Sequence, residues 1–93
     1  MRIAWTRLAL ADLDSVYDFI AVNNPVAAVA TIDRIEYAVQ RLLRYPSMGR
    51  PGRIGDTREL VVAGTPFIVV YNVTPRRVEI LGVIHGARRW PGR

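Results

Sequence analysis

Five consecutive apolar residues, Phe-Ile-Val-Val-Tyr at 67–71, restrict the folds open to this chain more than any other feature. A strand without polar positions is typical of one covered on both faces, so it belongs in the middle of a sheet with other layers around it. Because 93 residues suffice for one hydrophobic core, we predict a single domain over residues 1–93. Three β-type runs, at 57–62, 66–73 and 78–84, have connections short enough to make them antiparallel neighbours, with the middle run central.

Two amphipathic segments precede these strands. The first begins after Thr6, a suitable N-cap, and ends near Val22, and the second begins at Pro25 and continues for about twenty residues. Apolar residues recur at spacings of three and four, through Leu10, Leu13, Tyr17 and Ile20, with Val16 beside them, and then through Ala28, Ile32, Ile35, Val39 and Leu42. With a β-type run at 2–5 in front, the pattern predicts an α+β fold of order β-α-α-β-β-β, in which a helical hairpin packs on a mostly antiparallel sheet.

The segment between the second helix and the later strands is rich in glycine, proline and arginine. Residues 46–55 hold Pro46, Pro51 and three glycines, with Arg50 and Arg53 among them. Proline and glycine interrupt both helices and strands, so we predict a basic connecting loop that adds little to the sheet. Its glycine spacing does not match a phosphate-binding loop.

Composition narrows the possible chemistry. The chain has no cysteine and a single histidine, His85, which excludes disulfides and thiolate metal sites, and we expect neither a metal nor a cofactor. The longest apolar stretch, 66–73, is far too short to cross a bilayer, and the N-terminus lacks the pattern of a signal segment. We therefore expect a cytoplasmic protein that makes no contact with a membrane.

The positive charge is uneven along the chain. Residues 1–36 carry three arginines against five acids, a net charge of −2, whereas residues 37–93 carry ten arginines against three acids, a net charge of +7. This asymmetry favours an anionic partner, either a nucleic acid or an acidic protein segment, over a merely solvated basic surface. All thirteen basic residues are arginine, which fits either a GC-rich coding bias or bidentate recognition of phosphate and carboxylate.

Several short motifs occur together in a fixed order. They comprise Ala9, Ala11, Asp12 and Leu13; Asn24, Pro25 and Ala27; Pro46, Gly49 and Arg50; Thr57, Arg58, Glu59 and Leu60; Val70, Tyr71, Asn72 and Val73; Val78, Glu79, Ile80 and Leu81; and His85, Gly86, Ala87, Arg88, Arg89, Trp90 and Pro91. In this order they resemble toxins of the RelE/ParE superfamily, and the ParE branch most of all. The resemblance extends over essentially the whole chain.

The resemblance implies a type II toxin-antitoxin system, in which an antitoxin holds a small basic toxin inactive. The expected antitoxin is a ParD-like ribbon-helix-helix protein whose extended acidic C-terminal segment wraps around the toxin. The two branches of the superfamily differ in their action. RelE-like members cleave mRNA on the ribosome, whereas ParE-like members poison DNA gyrase without a known covalent reaction of their own.

Residue types distinguish these two actions. Metal-free RNA cleavage needs a base for the ribose 2′-hydroxyl, a cation for the charge on phosphorus and an acid for the leaving oxygen. The positions that match the basic strand residues of RelE are Glu59, Val61 and Ile68, and no tyrosine follows Arg88, since Trp90 cannot transfer a proton. These residue types count against RelE-type cleavage, and the ParE resemblance then implies gyrase binding without a catalytic residue.

An RNA-cleaving alternative stays open. YoeB-type nucleases use a histidine near the position of His85, and together with Arg58 and Arg88 it can be drawn as a catalytic set for a ribosome-dependent mRNA endonuclease. A third possibility is a family member that still binds its antitoxin but has lost its toxicity.

The predicted target-binding surface lies near the C-terminal end of the chain. It consists of Arg58, His85, Arg88, Arg89 and Trp90. Each residue also has a structural interpretation: the arginines can pair with surface acids, His85 can hydrogen-bond a backbone carbonyl, and Trp90 can pin the tail to the body.

Antitoxin binding is expected at apolar side chains that lie off the predicted helix seams. These are Leu8, Phe19, Val26 and Val29, which are otherwise exposed to water. An edge strand offers a second docking site, because an extended segment can add to it as a further strand.

Overall fold

A computed structural model of the chain describes residues 1–86. Its elements are β1 (Arg2–Trp5), α1 (Arg7–Ala21), α2 (Pro25–Arg41), β2 (Arg50–Pro51), β3 (Arg58–Val61), β4 (Phe67–Val73) and β5 (Arg77–His85). The five strands form one sheet in the order β1-β5-β4-β3-β2, and both helices pack on one of its faces. The predicted α+β class and the helical hairpin on a mostly antiparallel sheet are confirmed.

The central position of β4 is also confirmed. Every residue from Phe67 to Tyr71 is buried, and β4 pairs antiparallel with β3 on one side and with β5 on the other. The ladder with β5 shifts register between Val70, opposite Gly82, and Tyr71, opposite Ile80, so β5 contains one extra residue there. Strand β1 lies parallel to β5 at one edge of the sheet.

Both helices begin where predicted, and each has an N-cap. The Thr6 hydroxyl accepts a hydrogen bond from the Ala9 N–H at 3.1 Å, and the Asn24 side chain accepts one from the Ala27 N–H at 3.0 Å. The break before Pro25 turns the chain back on itself, so α1 and α2 form the expected hairpin. The seam of α2 is confirmed by its buried residues, Ala28, Ile35, Val39 and the following Leu42, with Ile32 partly buried beside them.

The predicted seam of α1 is wrong at two positions. Leu10 and Tyr17 are 48% and 37% exposed, and Ala9 is buried in their place, whereas Val16 is buried and Leu13 and Ile20 are partly buried, as predicted. The same helix makes a polar contact that periodicity does not include. The Asp12 carboxylate accepts a hydrogen bond from the Val83 N–H at 3.0 Å, which fixes the side of α1 that lies against β5.

The loop prediction for residues 46–55 needs correction as well. Arg50 and Pro51 form the short edge strand β2, which pairs antiparallel with β3 so that Arg50 lies opposite Glu59. Proline is tolerated there because an edge strand leaves one side of its backbone unpaired. The attraction between the two side chains, described below, holds this segment on the sheet.

Candidate functional site

The two faces of the sheet have different surroundings. Leu60, Val69 and Val83 lie on the face that packs against the helices. Side chains alternate along a strand, so Glu59 and its cross-strand partner Val70 lie on the opposite face. We call this the second face, and define it by Glu59, Val61, Ile68, Val70 and Asn72.

A buried carboxylate on the second face is enclosed by two arginines. Glu59 is only 2% exposed, and its Oε1 atom lies 3.2 Å from Arg50 Nη2. Its Oε2 atom lies 3.6 Å from Arg53 Nε and accepts a hydrogen bond from the Arg53 backbone N–H at 3.4 Å. Burying a carboxylate is costly without such partners. Two arginines of the basic segment thus face an internal acid, which reduces the positive charge they offer to an external anion.

The Arg58 side chain leaves the sheet on the helix-packed face, directly opposite Tyr71 on β4. Its Nη1 atom donates hydrogen bonds to the Gly49 carbonyl at 2.8 Å and to the Ser47 carbonyl at 3.4 Å. These contacts hold the backbone of the segment that follows α2. Target binding by Arg58 stays a prediction.

Tyr71 also holds this segment, through its hydroxyl group. Its hydroxyl donates to the Pro46 carbonyl and accepts from the Gly49 N–H, both at 2.8 Å. Burial raises the pKa of the Tyr71 phenol, and the Gly49 N–H and the Arg58 charge oppose that rise. A Cβ atom on Gly49 would lie 2.7 Å from the Tyr71 ring, so this close approach requires glycine.

We call Tyr71, Arg58 and the backbone groups of residues 46–49 the Tyr71 network. Sequence reasoning missed it, because Tyr71 was interpreted only as part of an apolar strand. One feature of the sequence did point to such a network. A tyrosine in a wholly buried strand must find a partner for its hydroxyl, and the glycine and proline after α2 supply free backbone groups.

His85 ends β5, and its side chain is exposed. It lies opposite Phe67, with ring centroids 5.7 Å apart and planes at 80°. Arg58 lies opposite Tyr71, four residues further along β4, so the backbones of His85 and Arg58 are about 13 Å apart along the strand direction. The structure therefore does not bring His85 and Arg58 together. Arg88, Arg89 and Trp90 lie outside the described residues.

The four side chains predicted to bind an antitoxin all lie on the helical hairpin surface. Leu8 and Phe19 on α1 are 62% and 80% exposed, and Val26 and Val29 on α2 are 80% and 51% exposed. Val22, at the end of α1, is 82% exposed and extends this apolar surface, although the sequence pattern did not single it out. An interface with an antitoxin requires apolar side chains at the surface, and these side chains lie there.

Two classes of feature are missing from the described part of the chain. Residues 1–86 contain no group of three histidine, cysteine or acidic side chains that could hold a metal ion. Neither helix described there is long and apolar enough to span a membrane.

Comparison with known proteins agrees with this architecture. Residues 3–90 match the family model described as the ParE toxin of the type II toxin-antitoxin system parDE. The chain is 48% identical over 90 residues to the protein Y4kP of Sinorhizobium fredii, an alignment that covers 97% of this chain and 93% of the relative. It is 37% identical over 87 residues to the toxin RelE2 of Caulobacter vibrioides, covering 94% and 97% of the two chains.

Two solved structures share the fold. One comes from a chromosomal ParDE system of P. aeruginosa, with a TM-score of 0.83 and 31% identity, covering 91% of this chain and 95% of the other. The second is the toxin-antitoxin complex RelBE2 of Mycobacterium tuberculosis, with a TM-score of 0.63 and 26% identity, covering 90% and 95%. Since the family model extends over nearly the whole chain and more than nine-tenths of each sequence relative is aligned, this chain belongs to the ParE toxin family of type II toxin-antitoxin systems.

Proposed function

We propose that this toxin stops growth by binding DNA gyrase in the cytoplasm, and that a cognate ParD-like antitoxin neutralises it. The observation that carries the proposal is the separation of the residues that an RNA-cleaving site would need. His85 and Arg58 pair with opposite ends of the same β4 segment, and each contacts its own neighbours there. A toxin that acts by binding does not need these residues to lie close together.

The buried acid supports the same conclusion. Cleavage of an RNA phosphodiester requires cations around the reacting phosphate, and Glu59 stands where RelE-like enzymes carry a basic residue. Here Glu59 offsets one of the two positive charges of Arg50 and Arg53, so the charge that this cluster offers to an anion is halved. Further positive charge for a target comes from arginines outside this cluster, and we propose Arg88 and Arg89, with His85 and Trp90, as the surface that contacts gyrase.

The helical hairpin supplies a separate surface for the antitoxin. Leu8 and Phe19 are eleven residues apart on α1, which is three helical turns, so their side chains share one face of the helix. Val26 and Val29 are further exposed apolar side chains, on α2. Apolar side chains this exposed are typical of a partner interface, and we propose that the antitoxin packs on them.

Induction of the toxin in cells separates the proposed activity from the alternative. A gyrase poison produces double-strand DNA breaks and a DNA-damage response, and the purified protein stabilises the cleaved gyrase-DNA complex. Cleaved mRNA at ribosomal A-site codons with intact chromosomes would instead favour a ribosome-dependent endonuclease, the activity that similarity to a toxin named RelE2 suggests. A toxin with reversed charge at Arg88 and Arg89 that still poisons gyrase would exclude those two residues from the contact.

A simpler observation tests the antitoxin. The gene beside this one should encode a short ribbon-helix-helix protein with an acidic tail, and the two proteins should co-purify. If that neighbour fails to restore growth when co-expressed, the antitoxin assignment is wrong.

A further inference from the structure

A cleft of about 470 Å³ lies where α2 ends and the chain turns toward β2. Arg41, Tyr45, Pro46, Ser47 and Met48 line it, and most of its surface is apolar. Tyr45 and Met48 remain 50% and 38% exposed. Its volume falls in the range of known ligand pockets, and it is large enough to receive one aromatic or large aliphatic side chain of a partner.

The walls of this cleft are held in place by the Tyr71 network. The Tyr45 N–H donates to the Arg41 carbonyl at 2.9 Å, and the Met48 N–H donates to the Tyr45 carbonyl at 3.0 Å. Behind the cleft, the Tyr71 hydroxyl and the Arg58 guanidinium hold the backbone groups of residues 46–49. A pocket fixed in this way loses little conformational entropy when it binds a ligand.

The surroundings of the cleft are positively charged. Residues 37–55 contain no aspartate or glutamate, and of their four arginines Arg50 and Arg53 face Glu59, which leaves Arg41, in the lining, and Arg44, next to Tyr45 in sequence. The Arg41 guanidinium lies over the Tyr45 ring, 5.8 Å from its centroid, and among residues 1–86 the salt bridges occupy Arg50, Arg53 and Arg77, but not Arg41. The cleft therefore combines a mostly apolar lining with the exposed guanidinium of Arg41.

We propose that this cleft binds an acidic peptide segment of a protein partner. One aromatic or large aliphatic side chain of the segment packs between Tyr45 and Met48, and a neighbouring carboxylate pairs with Arg41. The site is distinct from the proposed antitoxin surface, because Val26 and Arg41 stand at opposite ends of α2, about 22 Å apart. The proposal does not depend on gyrase being the target.

A short synthetic peptide tests the site directly. We would titrate a fluorescein-labelled, N-acetylated Asp-Glu-Phe-Leu-Glu-Asp peptide into the full-length toxin and follow its anisotropy. Two matched peptides accompany it, one with Gly-Gly in place of Phe-Leu and one with the four acids replaced by amides. The first peptide should bind at least about tenfold more tightly than either control, since each control lacks one half of the recognition.

Protein variants locate the binding. Arg41→Gln and Met48→Ala should each weaken the acidic peptide about tenfold, whereas Arg2→Gln, on the edge strand β1 at the far side of the sheet, should leave its affinity unchanged. Backbone amide shifts in NMR spectra should change at residues 41–48 and not around Phe19.

Three results would overturn the proposal. Equal binding of the Gly-Gly peptide, or an equal loss of affinity in Arg2→Gln, would mean nonspecific attraction between opposite charges. Amide shifts confined to the helical hairpin would mean that the peptide binds the antitoxin surface instead. Because the assay contains neither gyrase nor antitoxin, a failure to bind the peptide does not contradict the proposed function. Equally, a failure of the proposed function does not contradict this binding site. Circular dichroism of each variant confirms that a loss of binding is not a loss of fold.

Discussion

The carboxylate of Glu59 and the guanidinium of Arg50 face each other across two paired strands, with Oε1 and Nη2 3.2 Å apart. The acid is buried, whereas the arginine is more than half exposed. Removing the negative charge therefore leaves Arg50 and Arg53 able to turn toward water or toward a polyanion. The pair determines how much of the basic segment is available to a ligand.

Substitution of Glu59 by glutamine should strengthen binding to nucleic acid. The two released arginines add phosphate contacts, so affinity for a single-stranded oligonucleotide should rise. The slope of log affinity against log salt concentration should become more negative by about one to two. Anisotropy titrations at several salt concentrations measure both quantities. Glu79→Gln is the matched control, because it also releases one arginine, Arg77, but on β5 and from a partly exposed acid. An unchanged salt slope in Glu59→Gln would show that Arg50 and Arg53 cannot reach phosphate.

Loss of the Tyr71 hydroxyl should destabilise the protein strongly. Tyr71→Phe leaves the Gly49 N–H and the Pro46 carbonyl without their partner, and we expect the free energy of unfolding to fall by about 2–4 kcal/mol. Urea denaturation measures the change. Tyr37→Phe, at a position 70% exposed on α2, should change it by less than about 0.5 kcal/mol. Equal effects of the two substitutions would contradict the role of the network.

The same phenol should make stability depend on alkaline pH. Burial raises the pKa of Tyr71, so the folded protein holds the phenolic proton more tightly than the unfolded chain. Its contribution is fully present below the unfolded value of about 10 and is lost as pH rises above it. The chain has no lysine or cysteine to titrate in that range, which simplifies the measurement. Denaturation midpoints between pH 8 and about 11 should fall less in Tyr71→Phe than in the parent protein; parallel curves would argue against this assignment.

The orientation of α1 should depend on Asp12. Asp12→Ala removes the acceptor for the Val83 N–H on β5, and we expect a loss of about 1–3 kcal/mol in unfolding free energy. Asp14→Ala, at an exposed position two residues later, should have an effect below about 0.5 kcal/mol. Chemical denaturation of the two variants under identical conditions distinguishes a local anchor from a general effect of acidic residues.

The apolar hairpin surface should affect antitoxin binding without affecting stability. Phe19→Ala removes a ring that is 80% exposed, so the unfolding free energy should change by less than about 0.5 kcal/mol. Affinity for the co-expressed antitoxin should fall by about tenfold or more, as for an aromatic residue at the centre of an interface. Ile54→Ala, an exposed apolar position in the loop after β2, serves as the control. If Phe19→Ala retains full affinity in calorimetric titration, the antitoxin packs elsewhere.

Periodicity predicted the elements of this fold better than their orientation. The strand at 67–73 and the α2 seam follow directly from apolar spacing, and both agree with the structure. The α1 seam was wrong at Leu10 and Tyr17, and the Asp12 contact with Val83, which helps to orient this helix, joins residues 71 apart in sequence. Strand β2 was missed for a similar reason, since a proline-containing segment joins a sheet here through the ion pair of Arg50 with Glu59.

The candidate sites show the same limit. Exposure of Phe19 and Val26 could be anticipated from their position off the helix seams, because helical geometry is local. Two other sets of contacts could not be anticipated, namely those of Arg58 with residues 47–49 and that of Tyr71 with Pro46. They depend on how the segment after α2 folds back over β4. Residue type indicated a polar group that needed a partner, but only the three-dimensional arrangement identified the partner.

The parallel pairing of β1 with β5 affects how this protein folds during its synthesis. Arg2 lies opposite Arg77 in that ladder, so β1 is synthesised well before β5, its neighbour among the strands of residues 1–86. Contacts between residues so distant in sequence slow folding, since the chain pays the entropy of a long loop before the pairing is gained. A nascent chain that stops short of β5 has its helical hairpin but lacks a complete sheet. Activity that depends on the finished sheet should therefore begin only after β5 has been made.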